Sequence, residues 1–356
     1  MERLEDNIRK VVPYIPGEQP VDSNVIKLNT NENPYPPAPG VREALKSLDD
    51  SCLRLYPDPE SKILVKALAD FYGLNEEQVF VGVGSDDVLA MCFLTYFNSG
   101  KPILFPDITY SFYDVWADLF KIPYECPALN QEFAIQKEDY FKENGGVVFP
   151  NPNAPTGVEM DISTIEEILI HNKEVVVIVD EAYIDFGAHS ALPLINKYKN
   201  LIIVQTFSKS RSFAGMRIGY AIGQPDLIKY LNDVKYSFNS YTMNRLTLQL
   251  GTAAVEDRTY FHNTLSKIIE TREWTKGQLR ALGFLFQDSK ANFIFASHIS
   301  CPAEYLFEGL KKEHIYVRHF KKERIQNHLR ISIGTREQME TVIACLKKLI
   351  KEYNGK

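Results

Sequence analysis

The chain has 356 residues, 45% of them hydrophobic and 24% charged. That is the make-up of a folded globular protein of two domains or one large one, and it sets aside disordered, collagen-like and coiled-coil classes. Lys and Arg number 40 against 46 Asp and Glu, a formal net charge of −6 with no basic tract to grip a nucleic-acid backbone.

The first residues, Met1-Glu2-Arg3-Leu4-Glu5-Asp6, are charged where a secretory leader is basic and then apolar. Residues 1–30 hold Pro13, Pro16 and Pro20 with little periodicity and read as an extended N-terminal arm. From there short apolar runs rich in β-branched residues recur, each ending in residues of chemical rather than packing character. Residues 79–81 run into Gly82-Val83-Gly84-Ser85-Asp86-Asp87, 103–105 into Pro106-Asp107, and 147–149 into Pro150-Asn151-Pro152-Asn153. Residues 175–179 run into Asp180-Glu181, and 201–204 lead to Ser208-Lys209. Continuous apolar runs are the mark of strands buried on both faces of a parallel sheet. Residues 162–170, with Ile165, Ile168 and Leu169 on one face and Asp161, Ser163 and Thr164 as candidate caps, read as a crossover helix.

The fold class expected is therefore α/β: a large domain, residues 31–245, built on a mostly parallel sheet flanked by helices. After about residue 245 the texture changes to a long helical stretch over 245–282, strands at 292–296, 315–318 and 329–333, and a closing helix over 336–353. That predicts a smaller α+β C-terminal domain, residues 246–356. In open parallel sheets ligands sit outside the carboxyl ends of the strands, where the polar residues above fall. Even the longest apolar run is far too short to span a bilayer. The five cysteines, Cys52, Cys92, Cys126, Cys301 and Cys345, are scattered and form no CxxC pair, the usage of reduced thiols in a cytoplasmic enzyme.

Lys209 is the centre of the chemical reading. It follows an apolar strand, is flanked by Ser208 and Ser210, and precedes Arg217 by eight residues. An amine able to form a Schiff base thus sits beside a phosphate-directed cluster, with a planar guanidinium fork suited to a phosphate dianion. Asp180, at the end of a buried run, needs a cation or an upward pKa shift. Tyr183 stands three residues on. The Gly82-Val83-Gly84 segment lacks the third glycine of a dinucleotide fingerprint, Asp87 standing in its place; a helix opening at Ser85 still presents free N–H groups to one phosphate. The Pro150–Gly157 loop is too rich in proline and glycine for regular structure; such loops are usually plain connectors, while one straight after a buried strand can hold an amide such as that of Asn153 rigidly against a ring. The seven histidines, His171, His189, His262, His298, His314, His319 and His328, show no HxxxH or HExxH spacing, so no metal is expected.

Six motifs stand in order between residues 31 and 217: Asn31-Glu32-Asn33-Pro34-Tyr35, Tyr56-Pro57-Asp58, Gly84-Ser85-Asp86, Pro152-Asn153-Ala154-Pro155-Thr156-Gly157, Val179-Asp180-Glu181-Ala182-Tyr183 and Ser208-Lys209 with Arg217. Together they resemble the fold-type-I pyridoxal-phosphate-dependent aminotransferases of class II, most closely those acting on histidinol phosphate. The resemblance implies a seven-stranded-type sheet and pyridoxal 5'-phosphate held covalently by Lys209, with Asp180 at the pyridinium nitrogen. Tyr183 and Asn153 would bond the ring oxygen, and Tyr110 would stack on the ring face. Ser85, Asp86, Ser208 and Arg217 would hold the phosphate end, joined by Tyr56 from the partner of a homodimer with shared active sites.

Tyr14, Asn31, Asn239, Arg318 and Arg330 are implied to lie where substrate binds. The chain departs from many relatives in having Ala154 where they have a second Asn, which makes Asn153 the ring contact and Asn151 the fallback. The implied reaction is ping-pong transfer of an amino group between L-histidinol phosphate and the keto acid 2-oxoglutarate, in histidine biosynthesis. Transamination of aromatic amino acids and decarboxylation of threonine phosphate are the alternatives on the same scaffold.

Overall fold

The computed structural model describes residues 4–15, 17–20 and 24–355. Residues 1–3, Pro16 and 21–23 of the predicted arm therefore lie outside the described residues. The arm's described part holds one short 3-10 turn, Leu4–Asn7, and the two-residue strand Ile26–Lys27, which pairs in parallel with Ile315–Tyr316.

The expected α/β architecture is observed. Seven strands form one sheet in the spatial order Val79–Gly82, Gly219–Gly223, Leu201–Thr206, Val177–Asp180, Val147–Pro150, Ile103–Leu104 and Tyr124–Glu125. All neighbours are parallel except Gly219–Gly223, which runs antiparallel to the strands on both sides of it. Successive residues alternate between two cores, as strand geometry requires. Val177, Val179, Leu201 and Ile203 pack into one, while Ile178, Ile202 and Val204 pack into the other. Helices cover both faces, and this explains why the strands read as unbroken apolar runs. The crossover helix Ile162–His171 seats Ile165, Ile168 and Leu169 in the first core, all fully buried.

A second, four-stranded antiparallel sheet orders Arg318–His319, Leu329–Ser332, Phe293–His298 and Phe284–Phe286. Its core is closed by Ala303–Lys312 and Arg336–Asn354. Two sequence expectations are corrected here. The helix expected over 245–282 is two helices, Arg245–Glu256 and Arg258–Ala281, because Asp257 caps the second one by accepting from Tyr260 N–H at 3.1 Å. The strand expected over 315–318 is likewise split, its first half pairing with the arm and its second half with Leu329–Ser332.

The antiparallel strand fixes the site. Because it runs against its neighbours, its first residue, Gly219, lies at the carboxyl ends of Val79–Gly82 and Leu201–Thr206, paired with both Gly82 and Thr206. Arg217, two residues earlier, is thereby delivered to the edge that carries Ser85 and Lys209. A Cβ on Gly219 would collide with the backbone of Gly84 and Ser85. Gly219→Ala is therefore expected to lower the unfolding free energy by about 1–3 kcal/mol. Gly277→Ala, in a helix and with nothing within 4 Å of the added carbon, should raise it by about 0.5–1 kcal/mol. Denaturant titration of the two variants checks both signs.

Candidate active site

A cavity of about 200 Å³ opens at the carboxyl ends of the large sheet, walled by Lys209, Asp180, Tyr183, Ser85, Arg217 and Tyr110 among others. These wall residues arrive from four segments, Asp180 and Tyr183 sharing one and Lys209 and Arg217 another. Lys209 follows the strand Leu201–Thr206 and donates from Nζ to Thr30 O at 3.0 Å. Its ammonium also lies 5.8 Å from the centre of the Tyr183 ring. Arg217 donates to Ser208 Oγ at 3.3 Å and pairs with Asp86 at 3.2 Å. Gly84 has φ +87, and a Cβ there would collide with the Arg217 guanidinium. The glycine thus lets the backbone and the arginine converge beside the first N–H groups of the helix Ser85–Tyr96, an anion-binding arrangement.

Asp180 ends the strand Val177–Asp180 and is only 4% exposed. Its carboxylate accepts from Tyr113 Oη at 2.9 Å and from Ala182 N–H at 3.2 Å. Burial nevertheless pushes its pKa up to about 6, against the two hydrogen bonds that lower it and with the Asp86 charge adding to the rise. No basic side chain among the described residues is paired with it. A buried carboxylate in this condition is a site for a cation from outside the chain. The same burial holds the Tyr113 and Tyr110 phenols well above their usual range.

Asp86, expected at the phosphate end, accepts from Tyr110 Oη at 2.6 Å and pairs with Arg217. A carboxylate has no hydrogen to give an anion, so its place here is to aim those two donors. Asn153 does not line the cavity. Its Oδ1 accepts from Thr109 Oγ1 at 3.2 Å, and its Nδ2 donates to Ile108 O and Thr156 Oγ1, both at 3.0 Å. Asn151 is engaged with the Met160 backbone. From this loop it is Pro150 and Ala154 that face the cavity.

Arg318 and Arg330 stand directly opposite each other on adjacent antiparallel strands. Like charges so placed repel unless an anion joins them. Arg330 donates to Asn29 O at 3.0 Å, and its buried Nε has no partner. Burial, with the Arg318 charge adding to it, lowers its pKa, while Tyr183, Tyr14 and Tyr110 lie within electrostatic range and oppose the shift. Arg318 lines a larger groove with Tyr14 and Tyr110, and the Tyr14 ring stacks on Phe112 at 4.2 Å. Asn31 reaches Tyr183, its Nδ2 donating to the phenol oxygen at 2.9 Å. Tyr56 and Asn239 are not brought to the cavity of their own chain. Tyr56 is 79% exposed and packs on Tyr241 at 4.7 Å, and Asn239 caps the preceding helix beside that tyrosine.

Sequence reasoning passed over Tyr113, Thr30 and Glu32. Tyr113, which opens the helix Tyr113–Phe120 three residues after Tyr110, gave no signal beyond that spacing. Glu32 lines the cavity; burial raises its pKa, but bonds from Lys27 and Thr30 bring it below the usual carboxylate range.

The groups present fit pyridoxal 5'-phosphate. A guanidinium and a helix N-terminus meet at one end of the cavity, a buried carboxylate lacking a cation sits in its wall, and a lysine amine stands among them. Residues 23–346 match the model of the family "Aminotransferase class I and II". A histidinol-phosphate aminotransferase of Clostridium botulinum (strain Okra / Type B1) is 50% identical over 353 residues, 99% of this chain and 100% of the relative. One from Brachyspira hyodysenteriae is 50% identical over 349 residues, covering 98% and 99%. Among solved structures, histidinol-phosphate aminotransferase from Sinorhizobium meliloti in complex with pyridoxal-5'-phosphate superposes with a TM-score of 0.83 at 22% identity, covering 92% of this chain and 91% of that one.

The raised Asp180 pKa has a consequence for stability. The folded state holds the proton more tightly than the unfolded chain, so in the protein freed of cofactor stability falls as pH rises from 3.8 to about 6. The loss expected from this group is about 3 kcal/mol. Glu181, pushed up to about 7 by burial, adds its own fall over a window extending higher. Asp180→Asn should remove the lower part of the slope and leave the Glu181 part, as read by denaturant titration across pH 4 to 8.

Proposed function

Because this chain belongs to the class I and II aminotransferase family, we propose that it moves an amino group between L-histidinol phosphate and 2-oxoglutarate, with pyridoxal 5'-phosphate held covalently by Lys209. The observation that carries the substrate reading is the half-identity, over nearly the full length of both chains, to relatives bearing that activity in their names. The paired arginines support it, since two opposed guanidinium groups suit a substrate phosphate better than either suits an aromatic side chain.

When bound, the cofactor supplies an aldehyde that condenses with amines and a ring that takes up electron density from the substrate carbon. Arg217, Ser208 and the N–H groups at Ser85 bind its phosphate end. Asp180, ionised once a cation lies beside it, holds the proton on the ring nitrogen. Tyr110, which lines the cavity, would stack on the ring, and the Tyr183 hydroxyl would be the donor to the ring oxygen. Lys209 anchors the cofactor until a donor amine displaces it. Its freed Nζ would be the base that takes up the proton of the substrate carbon and, as the conjugate acid, gives it back. Arg318 and Arg330 hold the phosphate of the donor in one half-reaction and a carboxylate of the keto acid in the other, and ping-pong kinetics follow from that alternation.

The exposed Tyr56, packed on Tyr241, and the exposed Leu53 and Phe238, at 61% and 72%, support a homodimer in which Tyr56 and Asn239 complete the partner's site. The division into an arm to residue 30, a cofactor-binding domain to 245 and a C-terminal domain is part of the same proposal. The five unpaired cysteines suit a cytoplasmic setting. No helix among the described residues is long and apolar enough to cross a membrane.

Half-reaction spectra with histidinol phosphate, phenylalanine and glutamate test the reading. Faster conversion by phenylalanine than by histidinol phosphate would overturn it. Lys209→Ala is expected to abolish both the cofactor's covalent absorbance and turnover. Arg330→Met should lower kcat/KM for histidinol phosphate by about 10–100-fold, mostly through KM, the scale of one buried charge-assisted contact.

A further inference from the structure

We propose that Asn31 is a positioning residue of the cofactor site rather than a direct substrate contact. Its carboxamide donates to Tyr183 Oη and so leaves that phenol's own hydrogen for the cofactor ring oxygen. This inference rests on the cofactor reading above and deepens it.

Asn31 is 1% exposed and sits at φ +59, a left-handed conformation that asparagine tolerates better than most residues. Nearly every polar group it owns is spoken for. Its N–H donates to Ser332 Oγ at 3.1 Å, Ser332 Oγ donates back to its Oδ1 at 2.8 Å, and Asn292 Nδ2 donates to its carbonyl at 3.0 Å. With Oδ1 bound by the serine hydrogen, the amide is turned so that Nδ2 faces Tyr183 Oη at 2.9 Å.

A phenol oxygen accepts hydrogen bonds and donates one. Asn31 uses an acceptor position of Tyr183, and no acceptor among the described residues takes the hydroxyl hydrogen. A phenol that already accepts a hydrogen bond is also a better donor, since linked bonds polarise one another. No carboxamide of the 150–157 loop duplicates this service. Asn153 and Asn151 are bonded within or beside the loop, and Ala154 offers the cavity only a methyl group.

The link has a second end. Ser332 closes the strand Leu329–Ser332, the strand that carries Arg330. A displacement of that strand on binding an anion therefore reaches Tyr183 through two hydrogen bonds.

The test is an absorbance titration of the cofactor-loaded enzyme against pH without substrate, reading the protonation midpoint of the bound cofactor. Asn31→Ala should raise the midpoint by about half a pH unit or more, because the ring oxygen loses part of its donor. Asn31→Asp, which can only accept, should raise it further by drawing the Tyr183 hydrogen toward itself. Tyr183→Phe should give a larger rise, and adding Asn31→Ala to it should change nothing more. Should Asn31→Ala not fold, Ser332→Ala, which unpins the carboxamide without removing it, is expected to give part of the shift.

An unmoved midpoint in Asn31→Ala with a raised KM for histidinol phosphate would overturn the inference and put Asn31 against the substrate. An equal shift in the presence and absence of Tyr183 would overturn it as well. The titration uses no amino donor, so a different substrate preference leaves it standing, while failure to take up any cofactor would overturn the cofactor reading and this inference together.

Discussion

Asp180 carries a carboxylate into the interior at the end of a strand whose other three residues are fully buried. Two hydrogen bonds do not offset that burial, and its pKa stays raised. Most of the surrounding architecture answers to this one costly group. Tyr113 is aimed at it from the helix Tyr113–Phe120, and Ala182 turns its N–H back from the loop that follows. The carboxylate can become a strong electrostatic element only when a cation is brought to it. Placing it at a strand end, where both faces of the sheet are covered but the edge is open, lets that cation arrive from outside. Parallel strands put several such ends side by side, and Lys209, Ser85 and Tyr110 need no further alignment than the sheet already provides.

Sequence periodicity found the strands of the large sheet because double burial leaves an unmistakable pattern: at 79–81, 147–149 and 201–204 every side chain is apolar. It passed over Gly219–Gly223, whose two glycines and alternating larger residues carry a weak signal, although this strand is what delivers Arg217. Where the pattern was continuous but the partner changed, as at 315–318, periodicity could not see the break, since pairing with the arm and pairing with Leu329–Ser332 ask for the same residue types. Asp257, between two helical stretches, is a cap that only the structure distinguishes from one more polar position in a long helix.

The site divides along a similar line. Residues whose position follows from their own strand, Lys209, Asp180, Ser85 and Arg217, line the cavity as spacing and motif suggested. Residues whose position depends on loop conformation were less legible. Asn153 has the chemistry to face a ring, yet its amide is held by the Ile108 carbonyl, the Thr109 hydroxyl and Thr156, partners some 45 residues distant or set by the loop's own turns. Asp86 was grouped with phosphate contacts by its neighbours in sequence, whereas its charge suits it to hold the donors that make those contacts. Asn31 was visible as a motif residue, but its bond to Tyr183 spans 152 positions and its bonds to Ser332 span 301.

The two opposed arginines show why whole-chain charge says little about such a site. A net charge of −6 spread over the surface is screened within about 10 Å at ordinary ionic strength. Arg318 and Arg330 are register partners on adjacent strands, and desolvation of Arg330, whose Nε is buried, together with the Arg318 charge lowers its basicity. Their mutual repulsion is a standing cost to the small sheet, and it is relieved by any anion that bridges them. The strand that carries Arg330 also carries Ser332, whose hydroxyl pins the Asn31 carboxamide against Tyr183, so the arginine pair and the orientation of that phenol depend on the position of one strand.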